Sequence, residues 1–192
     1  MHILIITGPP YSGKGTQCDV LKQELNFRHI STGDLIRQEK ADQTELGRVM
    51  SEYAEKGNLV PDEIITQLVD QLLDKLAPGE NIILDGYPRT TPQVAAMAAM
   101  AQAKGKHIGK VINIDVPYEE LLQRARKRAE TSTRADDKDP DIHYKRIEIF
   151  EQDTRPAIAH MQSVFDVATI DGLGSITEIT EKIRKELGAY TN

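Results

Sequence analysis

The sequence predicts an α/β fold of three layers, α/β/α, with about five parallel strands in the central sheet. Short, β-branched apolar runs alternate with segments whose apolar residues recur at spacings of three and four. This alternation is typical of a parallel sheet covered by helices on both faces. The first run also leads directly into a glycine-rich turn, which is typical of a strand that carries a ligand-binding loop. At 192 residues the chain suits one domain with insertions.

The predicted strands are the short apolar runs, which in chain order cover 2–7, 28–31, 82–85, 111–116 and 167–170, with 28–31 the weakest. The predicted helices are the segments with helical spacing, at 16–24, 62–76, 92–104, 118–128, 143–165 and 175–187. Because ligands of such sheets bind beyond the carboxyl ends of the strands, we expect the site at that edge.

Two segments do not fit the alternation and are predicted to be excursions from the sheet. Segment 31–60 is helical but interrupts the strand rhythm, and segment 129–140 is polar without apolar periodicity. Gly57, Pro61 and Pro140 mark their ends, and such residues are typical of turns and hinges. We therefore expect both segments to move relative to the core.

The turn after the first strand, Gly-Pro-Pro-Tyr-Ser-Gly-Lys-Gly-Thr at 8–16, carries the strongest functional signal. Glycines let the backbone wrap around an anion, and the helix that follows adds the positive end of its dipole. Lys14 adds a full charge at the outer phosphates. Gly15 stands where the general pattern has serine or threonine, so Thr16 becomes the candidate hydroxyl for Mg²⁺. The sequence thus predicts a P-loop NTPase.

Charge and hydropathy exclude several classes of partner. The formal net charge of −6 argues against a nucleic-acid-binding surface. No apolar run approaches the ~18 residues of a membrane span, and no signal-peptide pattern is visible. We therefore expect a cytoplasmic protein with neither a nucleic-acid nor a membrane partner.

Cysteine and histidine give no sign of a metal centre. The single cysteine, Cys18, excludes an internal disulfide and a multi-cysteine zinc site, and is predicted to be a small buried hydrophobic residue. The histidines are scattered along the chain without the spacing of metal ligands.

A second set of polar residues follows the predicted strand 82–85. Asp85 ends that strand at the same sheet edge as the phosphate loop, where a carboxylate can hold Mg²⁺ or its waters together with Thr16. Arg89 comes just past the strand and can reach a phosphate, while Gln93, one helical turn further, can reach a base. These positions predict a nucleotide site that extends beyond the phosphate loop.

Four further arginines in this acidic chain predict an anionic partner. Arg124 and Arg128 share one face of a helix, and Arg134 and Arg146 flank the acidic segment 136–139. The planar guanidinium makes paired hydrogen bonds to phosphate and can stack on a purine.

In this order the motifs resemble the adenylate kinase family, from Ile3 to near the C-terminus. Residues 13–17 resemble its phosphate loop, including the displaced threonine, and 85–89 (Asp-Gly-Tyr-Pro-Arg) resemble its central signature. The start and end of its monophosphate-binding segment are matched by 31–37 and 57–61, and its short lid by 128–137. The resemblance implies a single kinase domain with a core of 1–30, 61–126 and 138–192, an NMP-binding segment of 31–60 and a LID of 127–137.

The resemblance also implies a role for each site residue. The residues implied to bind ATP are Gly13, Lys14, Gly15, Thr16, Arg124, Arg128 and Gly174. The residues implied to bind AMP are Thr32, Arg37, Asn58, Leu59, Val60, Gly86, Arg89, Gln93, Arg134 and Arg146. The residues implied to act in catalysis are Lys14, Arg89, Arg128, Arg134 and Arg146, with Thr16 and Asp85 holding Mg²⁺ largely through water and the nucleotide phosphates.

The implied activity is reversible transfer of a phosphoryl group from MgATP to AMP, giving two ADP, by a monomer that uses Mg²⁺ and no zinc. Gln93 favours AMP, because its amide can both donate to adenine and accept from it. The similar kinases for UMP and CMP tend to carry asparagine at this place, so a pyrimidine acceptor is the alternative.

Tyr11 departs from the resemblance, since the family usually has glycine there. We expect the loop to keep its path with the Tyr11 ring directed outward, at a cost on the order of 1 kcal/mol if φ is positive. This departure keeps a second alternative open, a nucleotide-binding regulatory module that transfers phosphate slowly.

Overall fold

A computed structural model describes residues 2–131 and 138–188 and contains a five-stranded, fully parallel sheet in the order β2-β3-β1-β4-β5. The strands are β1 His2–Thr7, β2 Arg28–Ser31, β3 Ile82–Asp85, β4 His107–Asp115 and β5 Val167–Asp171. The predicted three-layer α/β/α P-loop fold is therefore confirmed. β4 begins four residues before the predicted run, because its less apolar start still pairs with β1 (His2 with His107).

Helices account for most of the remaining described residues. They are α1 Lys14–Leu25, α2 Thr32–Ala41, α3 Glu45–Glu55, α4 Asp62–Asp74, α5 Thr91–Ala103, α6 Tyr118–Thr131, α7 Pro140–Ile149, α8 Arg155–Val164 and α9 Ile176–Leu187. Segment 31–60, which was expected to interrupt the alternation of strands and helices, contains α2 and α3. None of the helices in 2–131 and 138–188 is both long and apolar enough to cross a bilayer.

The single helix predicted over 143–165 is wrong in one respect. A π-helical turn, Phe150–Thr154, separates α7 from α8, and α7 begins three residues earlier, at Pro140. Pro156 lies in the first turn of α8, where its missing N–H would break a regular α-helical ladder. Periodicity alone does not register this change, because buried apolar residues keep recurring at spacings of three or twice four through the turn, at Ile147, Phe150, Ile158 and Met161.

Alternate residues of β1 enter two separate hydrophobic clusters. Ile3 and Ile5 pack on one face with α4, α5 and α8, whereas Leu4 and Ile6 pack on the other with α1, α6 and α9. Burial on both faces explains why the strands are continuous apolar runs.

The carboxyl ends of the central strands meet at one edge, since Ile6 of β1 is in register with Asp85 of β3. Gly8 follows β1 with φ of 137°, and a Cβ added there would lie 2.3 Å from the Ile114 carbonyl oxygen. Only glycine fits this position, so the loop after β1 starts tight against β4.

Candidate active site

The phosphate loop runs from Gly8 into the N-terminus of α1. Gly13 precedes α1 with φ of 91°, and it has no side chain with which to cap the helix. The first N–H groups of α1 therefore stay available to an anion at the positive end of the helix dipole. Thr16, in the first turn, is exposed on the same end of the helix.

Lys14 lies folded back over this loop. Its Nζ donates to the carbonyl oxygens of Gly8, at 2.8 Å, and Pro9, at 2.6 Å. Burial lowers the pKa of Lys14 to about 8, against an opposing effect of the Asp85 carboxylate. A bound polyphosphate would restore the stability of the charged form, so anion binding and protonation of Lys14 are coupled.

ATP affinity is expected to fall as pH rises through about 8, because the free protein then loses the Lys14 charge while the bound state retains it. The dissociation constant should increase by up to about tenfold per pH unit until the pKa of the bound state is reached. Calorimetric titrations between about pH 7 and pH 9.5 measure this step. A Lys14→Arg variant stays charged and serves as the control, and flat affinity of the unsubstituted protein over this range would contradict the assignment.

Asp85 ends β3 beside Lys14. Burial by itself raises the pKa of Asp85, but the His29 imidazole and the charges of Lys14 and Arg89 outweigh it and hold the pKa below its ordinary value. The carboxylate is therefore charged at neutral pH. A charged, hard oxygen ligand at this edge fits Mg²⁺, which prefers oxygen and keeps several waters.

Arg89, Thr32 and Gly86 form one tight arrangement behind Asp85. Arg89 Nε donates to the Gly86 carbonyl oxygen at 2.6 Å, and the Thr32 hydroxyl donates to the same oxygen at 3.0 Å. Gly86 has φ of 85°, and a Cβ there would lie 2.6 Å from both the Arg89 guanidinium and the Thr32 hydroxyl. The glycine thus lets the Arg89 guanidinium pass close to the backbone.

Four cations converge at this edge and form what we call the cationic cluster: Lys14, Arg89, Arg128 and Arg146. Beyond the dominant effect of burial, the charges of Arg89 and Arg128 lower the pKa of Lys14. Burial likewise lowers the pKa of Arg89, and the charge of Arg146 adds to that effect. Like charges that act on one another in this way repel, so a bound anion would stabilise the cluster.

A cleft of about 510 Å³ opens between the phosphate loop, α6 and the start of α9. Four of the residues predicted to bind ATP line it: Gly13, Thr16, Arg124 and Gly174. Arg124 is fixed in the wall, since it donates to the carbonyl oxygens of Ser12, at 3.3 Å, and Gly172, at 2.9 Å. Glu120 accepts from Arg124 Nε at 2.7 Å, which further orients the guanidinium plane.

Gln93, expected to reach a base, is only 2% exposed. Its Oε1 accepts from the Arg89 backbone N–H at 2.7 Å, and its Nε2 donates to Asp62 Oδ1 at 2.5 Å. Recognition of a base by Gln93 would therefore require its amide to exchange at least one of these partners.

The remaining predicted residues of the monophosphate site are less closely gathered. Val60 is buried, and Asn58 and Leu59 are half-buried. Arg37 is exposed and forms an ion pair with Asp34 within α2. Arg134 lies outside the described residues, as does most of the predicted LID.

The φ of Tyr11 is positive, at 67°, so the condition for a conformational cost is met, but the expectation that its ring points outward is wrong. The ring is half-buried, its hydroxyl is hydrogen-bonded to His143 Nδ1, and the two rings meet edge to face at 5.1 Å between centroids. The Arg128 guanidinium lies 5.8 Å from the centre of the Tyr11 ring. Tyr11 therefore connects the phosphate loop to α6 and α7.

Tyr11→Phe is expected to lower the free energy of unfolding by about 1 kcal/mol, because it removes a partly buried hydrogen bond but keeps the ring packing. Turnover should change only a few-fold, since the hydroxyl faces His143. Urea denaturation measures the first effect, with Tyr118→Phe as the control because Tyr118 is 47% exposed. Equal stability of the two variants would contradict the role given to the Tyr11 hydroxyl.

Sequence reasoning missed three members of the site: His29, Asp62 and His143. His29 lies on β2, next to β3, with Nε2 3.7 Å from Asp85 Oδ2. Asp62 accepts hydrogen bonds from both Gln93 and Thr90, the latter from Oγ1 at 2.9 Å, so it orients two residues at the start of α5. The sequence of β2, Arg-His-Ile-Ser, has only one apolar residue, so it gave no signal that singled out His29.

Comparisons with known proteins agree with this geometry. Residues 6–165 match the family model described as "Adenylate kinase". Among curated proteins named adenylate kinase, that of Parabacteroides distasonis is 37% identical over 182 residues, covering 95% of each chain. That of Porphyromonas gingivalis is 39% identical, covering 94% of this chain and 92% of its own, and that of Thermus thermophilus is 37% identical, covering 96% of each. The chain therefore belongs to the adenylate kinase family.

Proposed function

We propose that this protein catalyses the reversible reaction MgATP + AMP to two ADP and thereby balances the adenine nucleotides. The observation that carries the proposal is the cationic cluster, which lies between the cleft lined by predicted ATP-binding residues and the start of α5, where Arg89 and Gln93 lie. One nucleotide on each side would bring a donor and an acceptor phosphate together there. Family membership supports the same reaction.

The chemistry needs positioning and charge neutralisation rather than a general base, since the acceptor phosphate is already an anionic nucleophile. Lys14, on the donor side, would contact the phosphoryl group during its transfer and neutralise part of its charge. Arg89, with Thr32, Arg37 and the 58–60 backbone, would hold the acceptor. Charges placed in advance stabilise the transition state without reorganising when it forms.

Magnesium would be held by Thr16 and Asp85, largely through water and the nucleotide phosphates, and it would offset charge on the phosphates. The charged Asp85 carboxylate fits that role. We propose Mg²⁺ as the one metal of the reaction, with no zinc as a cofactor.

The division into core, NMP-binding segment 31–60 and LID 127–137 is part of this proposal. The end of the NMP-binding segment packs against α7, since a Cβ on Gly57 would lie 3.4 Å from Ile142 Cγ2 and 3.5 Å from Arg146 Cγ. The end of the first segment thus meets the helix that follows the second. Closure of both, with Arg134 and Arg146 over the phosphates, would exclude water that hydrolyses ATP. We further propose a monomer that works in the cytoplasm.

The decisive experiment measures ADP formation from MgATP with AMP, UMP, CMP, GMP or no acceptor, side by side. We expect rapid turnover with AMP only. Gln93→Asn should lower kcat/KM for AMP by at least about tenfold, because the shorter amide cannot keep both hydrogen bonds to adenine. Preference for UMP or CMP would support the pyrimidine kinase instead, and nucleotide binding without turnover would support the regulatory module.

A further inference from the structure

We propose that Cys18, His29 and Asp85 form a binding site for a thiophilic divalent cation, Zn²⁺ fitting best, directly beside the phosphate loop. The Cys18 sulfur, an imidazole nitrogen of His29 and a carboxylate oxygen of Asp85 all lie within 4.8 Å of one another. Sulfur, imidazole nitrogen and carboxylate oxygen are the three donor types that zinc binds in proteins. The site goes beyond the proposed function, in which magnesium is the only metal.

The fold assembles this set from three elements that are distant in sequence. Cys18 lies one turn after Lys14 on α1, His29 lies on β2, and Asp85 ends β3. β2 and β3 are neighbours, with Ser31 in register with Asp85, and α1 packs against both strands. The linear spacing of the histidines gives no sign of this set, because the partners of His29 come from the sheet order rather than from the local sequence.

The surroundings of His29 provide a second observation in favour of this cation site. Its Nε2 is buried and has no hydrogen-bond partner within 2–131 and 138–188, although Asp85 Oδ2 is 3.7 Å away. A buried imidazole nitrogen whose contact with a carboxylate is too long for an ordinary hydrogen bond requires an explanation, and a metal ion between the two groups would provide one. Its Nδ1 lies 3.9 Å from Asp19 Oδ1 on the outer side. Metal-binding histidines commonly have a carboxylate on this second nitrogen, which directs the first towards the metal.

The distances are close to those of a tetrahedral site. Bonds of about 2.0 Å to nitrogen and oxygen and about 2.3 Å to sulfur place neighbouring donor atoms roughly 3.3–3.6 Å apart. The distance of 3.7 Å between His29 Nε2 and Asp85 Oδ2 nearly meets this condition. No pair of the three donor atoms is more than 4.8 Å apart, so any pair would need to approach by about 1 Å at most. Coordination replaces the proton of the Cys18 thiol, which passes to solvent, and the fourth position stays open to water.

Lys14 sets a limit on the affinity. Its charge acts on both Cys18 and Asp85, so it opposes a second cation nearby. We therefore expect weaker binding than at a closed structural zinc site. Occupancy would also withdraw Asp85 from magnesium, so Zn²⁺ should inhibit phosphoryl transfer; this consequence rests on the proposed function, whereas binding itself does not.

Cobalt titration of the nucleotide-free full chain tests the binding. Since Cys18 is the only cysteine, a thiolate-to-Co²⁺ charge-transfer band can arise only from this site. We expect a saturable band with one Co²⁺ per chain, its loss in Cys18→Ala, and at least about tenfold weaker binding in His29→Gln. His160→Gln, on α8, should bind as the unsubstituted protein does. No band, or a band that His29→Gln leaves unchanged, would overturn the site.

Two further measurements do not depend on the charge-transfer band, and the first of them needs no variant. X-ray absorption of the Zn²⁺-loaded unsubstituted protein should show one sulfur at about 2.3 Å together with nitrogen or oxygen neighbours, and a shell without sulfur would overturn the site. In zinc-buffered assays of ADP formation, Cys18→Ala should keep its basal turnover and need at least about tenfold more free Zn²⁺ for half-inhibition. A cobalt band in a protein that does not form ADP would uphold the site and refute only the proposed function.

Discussion

Lys14→Met is expected to lower kcat for ADP formation by about 10³-fold or more, equivalent to roughly 4 kcal/mol of transition-state stabilisation. Lys14 is the only residue of the cationic cluster on the phosphate loop itself, and its Nζ already lies against the loop carbonyls of Gly8 and Pro9. Methionine has a similar length and fills the same space, but it cannot donate or carry charge. The loss should therefore appear in kcat more than in the affinity for AMP.

Lys22→Met is the matched control, since Lys22 lies on the same helix and pairs with Asp19 in an exposed ion pair. Its kcat should stay within about twofold of the unsubstituted protein, because exposed ion pairs contribute little. Steady-state rates with MgATP and AMP, together with circular dichroism to confirm folding, measure both variants. Turnover of a folded Lys14→Met protein within tenfold of normal would contradict the role assigned to Lys14.

The phosphate loop and the β3 edge could be predicted from the sequence because each depends on residues close together in the chain. Gly8 follows an apolar strand, and Asp85 ends another, so the parallel-sheet rule places both at one edge. The prediction for β4 is too short at its start. The first residues of this strand are extended because they pair with β1, and their own hydropathy does not indicate a strand.

The contacts that sequence reasoning missed join residues far apart in the chain. Tyr11 and His143 are 132 positions apart, and no local pattern predicts that α7 passes beside the phosphate loop. His29 meets Asp85 only because β2 and not β4 borders β3. Local chemistry thus identified the polar groups that follow β1 and β3, whereas the contacts of His29, Asp62 and His143 depended on tertiary structure.

Arg89→Ala is expected to lower kcat/KM for AMP by about 10²–10³-fold while the protein stays folded. The Arg89 side chain is half-buried, donates to the Gly86 carbonyl oxygen at 2.6 Å, and is repelled by Arg146. Removing it loses one hydrogen bond but also relieves the repulsion between two half-buried arginines, so these two effects on stability oppose each other. Its effect on catalysis has no such compensation, because the acceptor phosphate loses its paired donor.

Arg48→Ala separates this loss from a general effect of removing arginine. Arg48 lies on α3 within the same 31–60 segment, is exposed, and pairs with Glu45 and Glu52. Its rates with MgATP and AMP should match those of the unsubstituted protein, and Arg89→Lys should remain impaired, because lysine restores the charge but not the planar fork. If Arg89→Lys recovers full activity, charge alone suffices at this position; if folded Arg89→Ala is fully active, the acceptor phosphate binds elsewhere. Only the combination of an impaired Arg89→Lys and an unimpaired Arg48→Ala supports paired hydrogen bonding by Arg89 as the basis of acceptor binding.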